Sequence, residues 1–167
     1  MKTTTIAALT ASILALSSAA FADVSKKDQD FFSKAGAGGM YEVEAGKLAQ
    51  NKGQSDGVKS FGGMLVKDHG MANDELKALA AKKGAALPPA LPADKQKKLD
   101  MLSKARDFDK AFVDQVGLDD HKVDIALFEK TSRDADDAEV KAFAAKTLPT
   151  LKAHREHAEG LKKNHKH

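Results

Sequence analysis

Four polar side chains stand near the middle of four helical stripes that are otherwise apolar. They are Glu42, His69, His121 and His154. Because the mid-points of the helices in a four-helix bundle share one level, we expect these side chains to converge on one point in the core. Three imidazoles and a carboxylate form a ligand set that suits a transition metal such as Zn, Cu, Fe or Mn. The pattern therefore predicts a metal site in the middle of the bundle.

Three further polar residues flank this set. Asp68 precedes His69, Asp124 lies one turn after His121, and His157 lies one turn after His154. The two aspartates are expected to fix the tautomers of the ligating histidines by hydrogen bonds, and His157 is an alternative ligand.

Other interpretations of these polar residues stay open. They can form a buried hydrogen-bond network of carboxylates and imidazoles that needs no metal, or some of them can face solvent. A standard di-iron oxidase centre is disfavoured, because such centres use Glu-x-x-His pairs on two helices and this chain has none at the expected level.

The apolar period predicts the helices that must position these residues. The long ones are expected at about 28–51, 58–83, 107–132 and from a cap at Asp136 to about 163, with a short helix at about 93–104. In the third long helix, His121 lies off the line of the earlier apolar residues. One extra residue near Gly117 and Leu118, as in a π-bulge, would restore the phase, and such bulges often mark functional sites. The alternative is a regular helix that is contacted on two sides.

The lengths of the connections predict the topology. The first and third connections are short, so the helices they join are antiparallel, whereas residues 84–106 are numerous enough to cross the length of a bundle. One long crossover that contains a short helix, between two antiparallel pairs, is the ferritin-like arrangement. The sequence thus predicts an all-α, ferritin-like four-helix bundle; a plain up-down-up-down bundle is the alternative.

The amino terminus predicts where the protein works. Lys2 is followed by an uncharged apolar stretch and then by Ala20-Phe21-Ala22, the small-residue pattern of a signal peptidase site. Residues 1–22 are therefore expected to be a cleaved signal peptide, residues 23–163 the bundle domain, and residues 164–167 a disordered, basic, His-containing tail. A membrane anchor is the alternative, but the apolar stretch is shorter than the roughly 20 residues that span a bilayer. The expected location is the periplasm.

Composition excludes several classes of protein. The net charge is only +3, so the chain is not expected to bind nucleic acid. It has no cysteine, which excludes a lipoprotein anchor and a disulfide framework. No later segment is apolar enough to span a membrane after signal cleavage, and no phosphate-binding loop, nucleophile elbow or dinucleotide fingerprint is present.

The order of several motifs resembles that of a known family. The motifs are residues 39–49 (Gly-Met-Tyr-Glu-Val-Glu-Ala-Gly-Lys-Leu-Ala), residues 64–69 (Met-Leu-Val-Lys-Asp-His), Phe108-Asp109 with His121, and Thr147-Leu148-Pro149 with Ala153-His154. They are similar to those of the exported bacterial domain-of-unknown-function family 4142, whose members are often labelled outer membrane proteins. The resemblance implies a ferritin-like bundle without an established activity, and its motif positions include Glu42, Asp68, His69, His121 and His154. The spacing from Phe108 to His121 is one residue longer than is usual in that family, which agrees with the expected bulge.

These observations favour an exported bundle that binds a metal or small ligand in the cell envelope and serves in stress or metal handling. The main alternative is a structural bundle whose exposed faces bind an unknown envelope partner, while the buried polar residues only fix the packing. A metal-dependent oxidoreductase is a third, less favoured possibility.

Overall fold

The computed structural model describes residues 23–164, and the described chain is helical without a strand. The helices are α1 (Lys26–Lys52), α2 (Asp56–Lys83), α3 (Ala93–Ser103), α4 (Phe108–Phe112), a π-helical segment (Val113–Asp120), α5 (His121–Asp134) and α6 (Ala138–Asn164). We call α4, the π-helical segment and α5 together the third bundle helix. The predicted four-helix bundle and the predicted bulge are both confirmed. The predicted signal peptide and residues 165–167 of the predicted tail lie outside the described residues.

Side-chain caps explain where the helices begin and end. The hydroxyls of Ser25 and Ser55 accept hydrogen bonds from the first turns of α1 and α2. Gly84 ends α2 in the left-handed conformation, with φ of 69°. A residue with a side chain would be strained in this conformation. The cap predicted at Asp136 is wrong by one residue, because the carboxylate of Asp137 accepts from the backbone N–H groups of Glu139 and Val140.

Contacts at the two ends of the bundle establish its topology. At one end, the Lys83 ammonium lies 2.7 Å from a carboxylate oxygen of Asp137, so α2 ends where α6 begins. At the opposite end, Asp109 accepts hydrogen bonds from the backbone of Gln54 and Ser55, so α2 begins where the third bundle helix begins. These two helices therefore run parallel, and residues 84–107 cross the length of the bundle. The predicted ferritin-like connection is confirmed.

Two buried aspartates tie the helical pairs together in a reciprocal way. Asp28, in the first turn of α1, accepts from the backbone N–H groups of Asp136 and Asp137 at 3.0 and 2.8 Å, just before α6. Asp109, in the first turn of the third bundle helix, accepts from Gln54 and Ser55 at 2.9 and 2.8 Å, just before α2. Each pair of helices thus supplies the carboxylate that satisfies the turn of the other pair, and this fixes the register of both.

The apolar core is divided by a polar layer. One cluster, which includes Phe61, Leu65, Phe112 and Val116, fills the end of the bundle where α2 begins. A second, which includes Phe31, Leu76, Phe128 and Phe143, fills the end where α2 stops. On each bundle helix the predicted site residue falls between members of the two clusters. Among residues 23–164, no helix is both long and apolar enough to cross a lipid bilayer.

Candidate metal centre

The π-helical segment sets the orientation of His121. Gly117 lies within it at a close helix crossing, where an added Cβ would stand 2.5 Å from the Cβ of Ala158. The wider turns displace the chain by about one residue relative to an α-helix, which returns His121 to the core face. They also leave the carbonyl oxygen of Val116 close to the His121 ring, and it accepts a hydrogen bond from Nδ1 at 2.8 Å. Nδ1 therefore carries the proton, and Nε2 of His121 carries a lone pair.

A chain of contacts continues from His121 to the edge of the core. Nε2 of His121 lies 3.2 Å from Nδ1 of His154, and Nε2 of His154 lies 2.9 Å from Oδ2 of Asp68. Both imidazoles are fully buried, whereas Asp68 is partly exposed. The Asp68 carboxylate can only accept, so Nε2 of His154 carries the proton and donates it in this hydrogen bond, and Nδ1 has a lone pair.

The two imidazoles carry too few N–H groups to make a hydrogen bond of every contact in this series. Three contacts join Val116, His121, His154 and Asp68, but two neutral imidazoles carry only two N–H groups. The Val116 carbonyl and the Asp68 carboxylate each accept a hydrogen bond from one of these N–H groups. The two inner nitrogens therefore face each other with lone pairs. An extra proton on His154 is disfavoured, because burial lowers the pKa of its imidazole. The gap between His121 and His154 is thus a position that favours a cation.

His69 and Glu42 complete the cluster from α2 and α1. Oε2 of Glu42 lies 2.9 Å from Nε2 of His69, and Oε1 lies 3.2 Å from Nδ1 of His121. Neither contact has the alignment of a hydrogen bond, and both Glu42 oxygens and His69 Nε2 are buried without a hydrogen bond among the described residues. These atoms are thus close together without a hydrogen bond to satisfy them.

The charges in the cluster depend on one another. Burial alone would raise the pKa of Glu42, but the neighbouring imidazoles of His69 and His121 outweigh it and hold the pKa at about 2. Burial alone would lower the pKa of His69, but the charge and contact of Glu42 raise it above its usual range. Burial lowers the pKa of His154 to about 4 and outweighs the hydrogen bond that His154 donates to Asp68, which acts in the opposite direction. Without a metal, Glu42 therefore favours a proton on His69, whereas burial disfavours one on His154.

Three imidazole nitrogens, one each from His69, His121 and His154, lie within 4.8 Å of one another. If a metal ion lay about 2.0 Å from each of the two facing nitrogens of His121 and His154, their observed separation would give an N–metal–N angle of about 105°. This angle is close to tetrahedral. His69 would supply the third ligand after a small contraction. Glu42 lies on the Nδ1 side of His121, away from His154, so it can accept from the histidines or approach the ion beside His69. The donor set fits Zn or Cu in chemistry and in size.

The remaining predicted residues occupy different places. Asp68 accepts a hydrogen bond from Nε2 of His154. Asp124 makes no hydrogen bond to an imidazole in residues 23–164; it lies against Gly38, and burial with the charge of Glu42 raises its pKa to about 8. His157 is exposed and stacks on Phe61 at 5.1 Å, outside the cluster of three imidazoles.

Sequence reasoning missed two contributors. The carbonyl of Val116 replaces the side-chain partner that was expected for His121, and only the predicted bulge hinted that a free carbonyl would be available. Phe61 is fully buried, and its ring centroid lies 6.5 Å from that of His121 and 6.2 Å from that of His154. Its ring therefore covers one side of the histidine cluster. Its place on the α2 stripe gave no sign of this role.

Sequence comparison assigns the chain to a family. The model of the family described as "Domain of unknown function (DUF4142)" matches residues 14–161. The chain belongs to this family. The DUF4142 match spans every residue of the histidine cluster, and no curated protein matches the chain.

The bundle is also similar to a solved structure. It superposes on "Crystal structure of DUF305 fragment from Deinococcus radiodurans" with a TM-score of 0.72, over 85% of this chain and 99% of that chain. At 12% identity, the likeness concerns the fold of this DUF4142 protein and not its chemistry.

Proposed function

We propose that this protein is exported to the periplasm and binds one transition-metal ion through His69, His121 and His154, as part of metal handling in the cell envelope. The observation that carries the proposal is the pair of nitrogens of His121 and His154, which face each other at 3.2 Å without a proton for their contact. A metal ion in that position would accept both lone pairs. It would also compete with a proton for the His69 nitrogen and leave the Glu42 carboxylate to balance its charge.

The ligands favour Zn or Cu over Fe or Mn. Imidazole nitrogens suit the first two, whereas carboxylate and water oxygens suit Mn. Three imidazoles also leave a fourth position for Glu42 or a water molecule, which is the coordination of many open zinc sites. Export is supported by the signal-peptide pattern of residues 1–22, with Asp23 as the mature amino terminus.

Metal content and export are tested on protein secreted with its own amino terminus and purified without an affinity tag. The chain should end at Lys163, so that His165 and His167 cannot bind metal. After exposure to Zn or Cu and dialysis, we expect one ion per chain in the parent and in His157→Gln, and none in His121→Gln or His154→Gln. An intact mass that matches a chain beginning at Asp23 would support export. Equal metal content in all four proteins, or none in the parent, would refute the proposed site.

A structural role is the second candidate, and the contact between Glu42 and His69 favours it. Their contact joins α1 to α2 without any metal, and Asp68 with His154 joins α2 to α6. If this is the whole function, His154→Ala should cost about 1–3 kcal/mol by leaving buried partners unsatisfied. The parent would then gain no stability from Zn or Cu, whereas a metal-binding protein gains stability by mass action.

A further inference from the structure

A second polar group lies beside the histidine cluster, where α3 of the crossover packs on α1. Its centre is Tyr41, which is fully buried and directly precedes Glu42. Nε2 of Gln115 donates a hydrogen bond to the Tyr41 hydroxyl at 2.8 Å. Burial and, to a smaller extent, the charge of the Asp120 carboxylate raise the pKa of Tyr41 above its usual value, so Asp120 acts on the same hydroxyl. Gln115 and Asp120 both belong to the π-helical segment, so one hydroxyl interacts with this segment at two residues.

The spacing of Gln115 and Asp120 is specific to a π-helix. Residues five apart in an α-helix point about 140° away from each other, because each residue adds about 100°. A π-helix instead joins residues five apart by backbone hydrogen bonds, so their side chains lie on one face. A single hydroxyl that interacts with both Gln115 and Asp120 therefore favours the π-helical register over the α-helical one.

The next pair at this spacing is the pair that orients His121. Val116 and His121 directly follow Gln115 and Asp120, and the Val116 carbonyl accepts the hydrogen bond from Nδ1 of His121 at 2.8 Å. If the extra residue were accommodated after His121, the spacing from Val116 would be α-helical, and the two residues would point about 140° apart. The place of the extra residue along the helix thus decides whether His121 faces the core.

The crossover supplies the charge that holds Asp120 in the core. The Lys98 ammonium, from α3, forms an ion pair with Oδ1 of the buried Asp120 carboxylate. Nζ of Lys95 and Nζ of Lys98 also lie 5.2 and 5.4 Å from the centroid of the Tyr41 ring, which are cation–π distances. A buried carboxylate that loses its counter-ion is strongly destabilised. Without Lys98, we therefore expect Asp120 to turn towards solvent and away from Tyr41.

We propose that Tyr41 and Lys98 are positioning residues that fix the π-helical segment in front of His121 and so orient its imidazole towards the metal ion. This inference rests on the proposed function, because it treats His121 as a metal ligand. Tyr41 acts from α1 through Gln115 and Asp120, and Lys98 acts from the crossover through Asp120. Helix α3 is thus part of the support of the metal centre and not only a connection between α2 and the third bundle helix.

The test makes two measurements on the full mature protein. The nitrogen chemical shifts of the His121 ring without metal report its tautomer, and a titration gives the Kd for Zn²⁺. Tyr41→Phe removes the hydroxyl and keeps the ring, whereas Lys98→Met removes the charge and keeps most of the stem. We expect the Nδ1–H tautomer in the parent. In both variants we expect a mixture of tautomers and a Kd that rises by about 10- to 100-fold.

Two further variants separate positioning from general stability. Lys98→Arg keeps the charge and should resemble the parent in both measurements. Lys83→Met is the matched control, because it breaks ion pairs of a partly buried lysine at the far end of the bundle. The Lys83 side chain is 20% exposed, against 34% for Lys98, so Lys83→Met should cost stability without changing the tautomer or the Kd.

Other outcomes would overturn the positioning role. They are the parental tautomer and Kd in both variants, a raised Kd with the parental tautomer, and the same changes in Lys83→Met. A parent that binds no Zn²⁺ would overturn the proposed function, whereas the tautomers in the metal-free variants would still confirm or refute the positioning of His121. Lys98→Met, at a partly exposed site on α3, keeps the test valid if Tyr41→Phe does not fold.

Discussion

Nε2 of His121 lies 3.2 Å from Nδ1 of His154, and the outer nitrogens of both rings face acceptors. The Val116 carbonyl and the Asp68 carboxylate each accept one hydrogen bond, so the two inner nitrogens face each other with lone pairs. These lone pairs either bind a cation between them or repel one another. This relationship depends on the π-helical segment, which supplies both the position of His121 and the free carbonyl. The predictions below test that segment, the charges of the cluster, and the ion itself.

The first prediction concerns the extra residue in the third bundle helix. The π-helical segment absorbs one extra residue, so deletion of Leu118 should convert it to an α-helix and leave His121 on the core face. The Val116 carbonyl would then accept from a backbone N–H, as in any α-helix, and the His121 ring would lose the partner that fixes its tautomer. Zn affinity in equilibrium dialysis should fall by about 10- to 100-fold, while the helical signal in circular dichroism stays close to that of the parent. Leu118→Ala keeps the chain length and should bind like the parent. Parental affinity after the deletion would show that the free Val116 carbonyl does not orient His121.

The second prediction concerns the close helix crossing at Gly117. A Cβ there would meet the Cβ of Ala158 at 2.5 Å and the ring of Phe61 at 3.2 Å, so Gly117→Ala should destabilise the fold by about 1–3 kcal/mol through overpacking. Gly160 is also helical, but it has nothing within 4 Å of its missing Cβ. Gly160→Ala should therefore stabilise by about 0.4–1 kcal/mol. Urea unfolding measures both; similar free energies of unfolding for the two variants would contradict the packing argument.

Much of the bundle could be predicted because local sequence patterns determine its helices and its topology. The stripes of α1, α2 and α6, the two short connections and the long crossover were enough to predict the topology. The phase shift around Gly117 predicted the π-bulge. The cap at Asp137 was missed by one residue, because the turn before α6 is fixed by Asp28, which lies in a different pair of helices and far away in sequence.

The candidate site could be predicted less completely. The four polar interruptions of the stripes selected Glu42, His69, His121 and His154, which the fold brings together. Their pairing could not be predicted, because it depends on ring orientations and on a backbone carbonyl that only the π-helical segment exposes. Asp124 illustrates the limit, because it lies one turn from His121 and yet packs against Gly38 without a hydrogen bond to a ring among residues 23–164.

The third prediction uses the pKa of Asp124, which burial and the Glu42 charge raise to about 8. The folded protein keeps this proton up to about pH 8, whereas the unfolded chain loses it near its ordinary value, so this group makes folding less favourable as pH rises between those values. Asp124→Asn removes that penalty. Relative to the parent, the variant should gain at least about 1 kcal/mol of stability between pH 5 and pH 8 in denaturant titrations. Exposed Asp119→Asn is the control; an equal gain there would refute the assignment to Asp124.

The fourth prediction concerns competition between protons and the metal. Since Glu42 raises the pKa of His69 above its usual range, protons compete with the metal for His69 up to a higher pH than for an ordinary histidine. Zn affinity should fall by about tenfold per pH unit as pH drops below that pKa. Glu42→Gln removes the charge that raises the pKa, so the decline should begin at a lower pH. Calorimetric titrations across this range measure both curves, and coincident curves would show that Glu42 does not act on His69.

The central claim is that three imidazoles hold one metal ion in the middle of the bundle. The most direct measurement is the zinc-edge X-ray absorption spectrum of the untagged protein that ends at Lys163, loaded with one equivalent of Zn²⁺. We predict three imidazole nitrogens at about 2.0–2.1 Å, and a clear loss of imidazole scattering in His154→Gln. A shell of oxygen atoms alone, or a spectrum that His154→Gln leaves unchanged, would contradict the account.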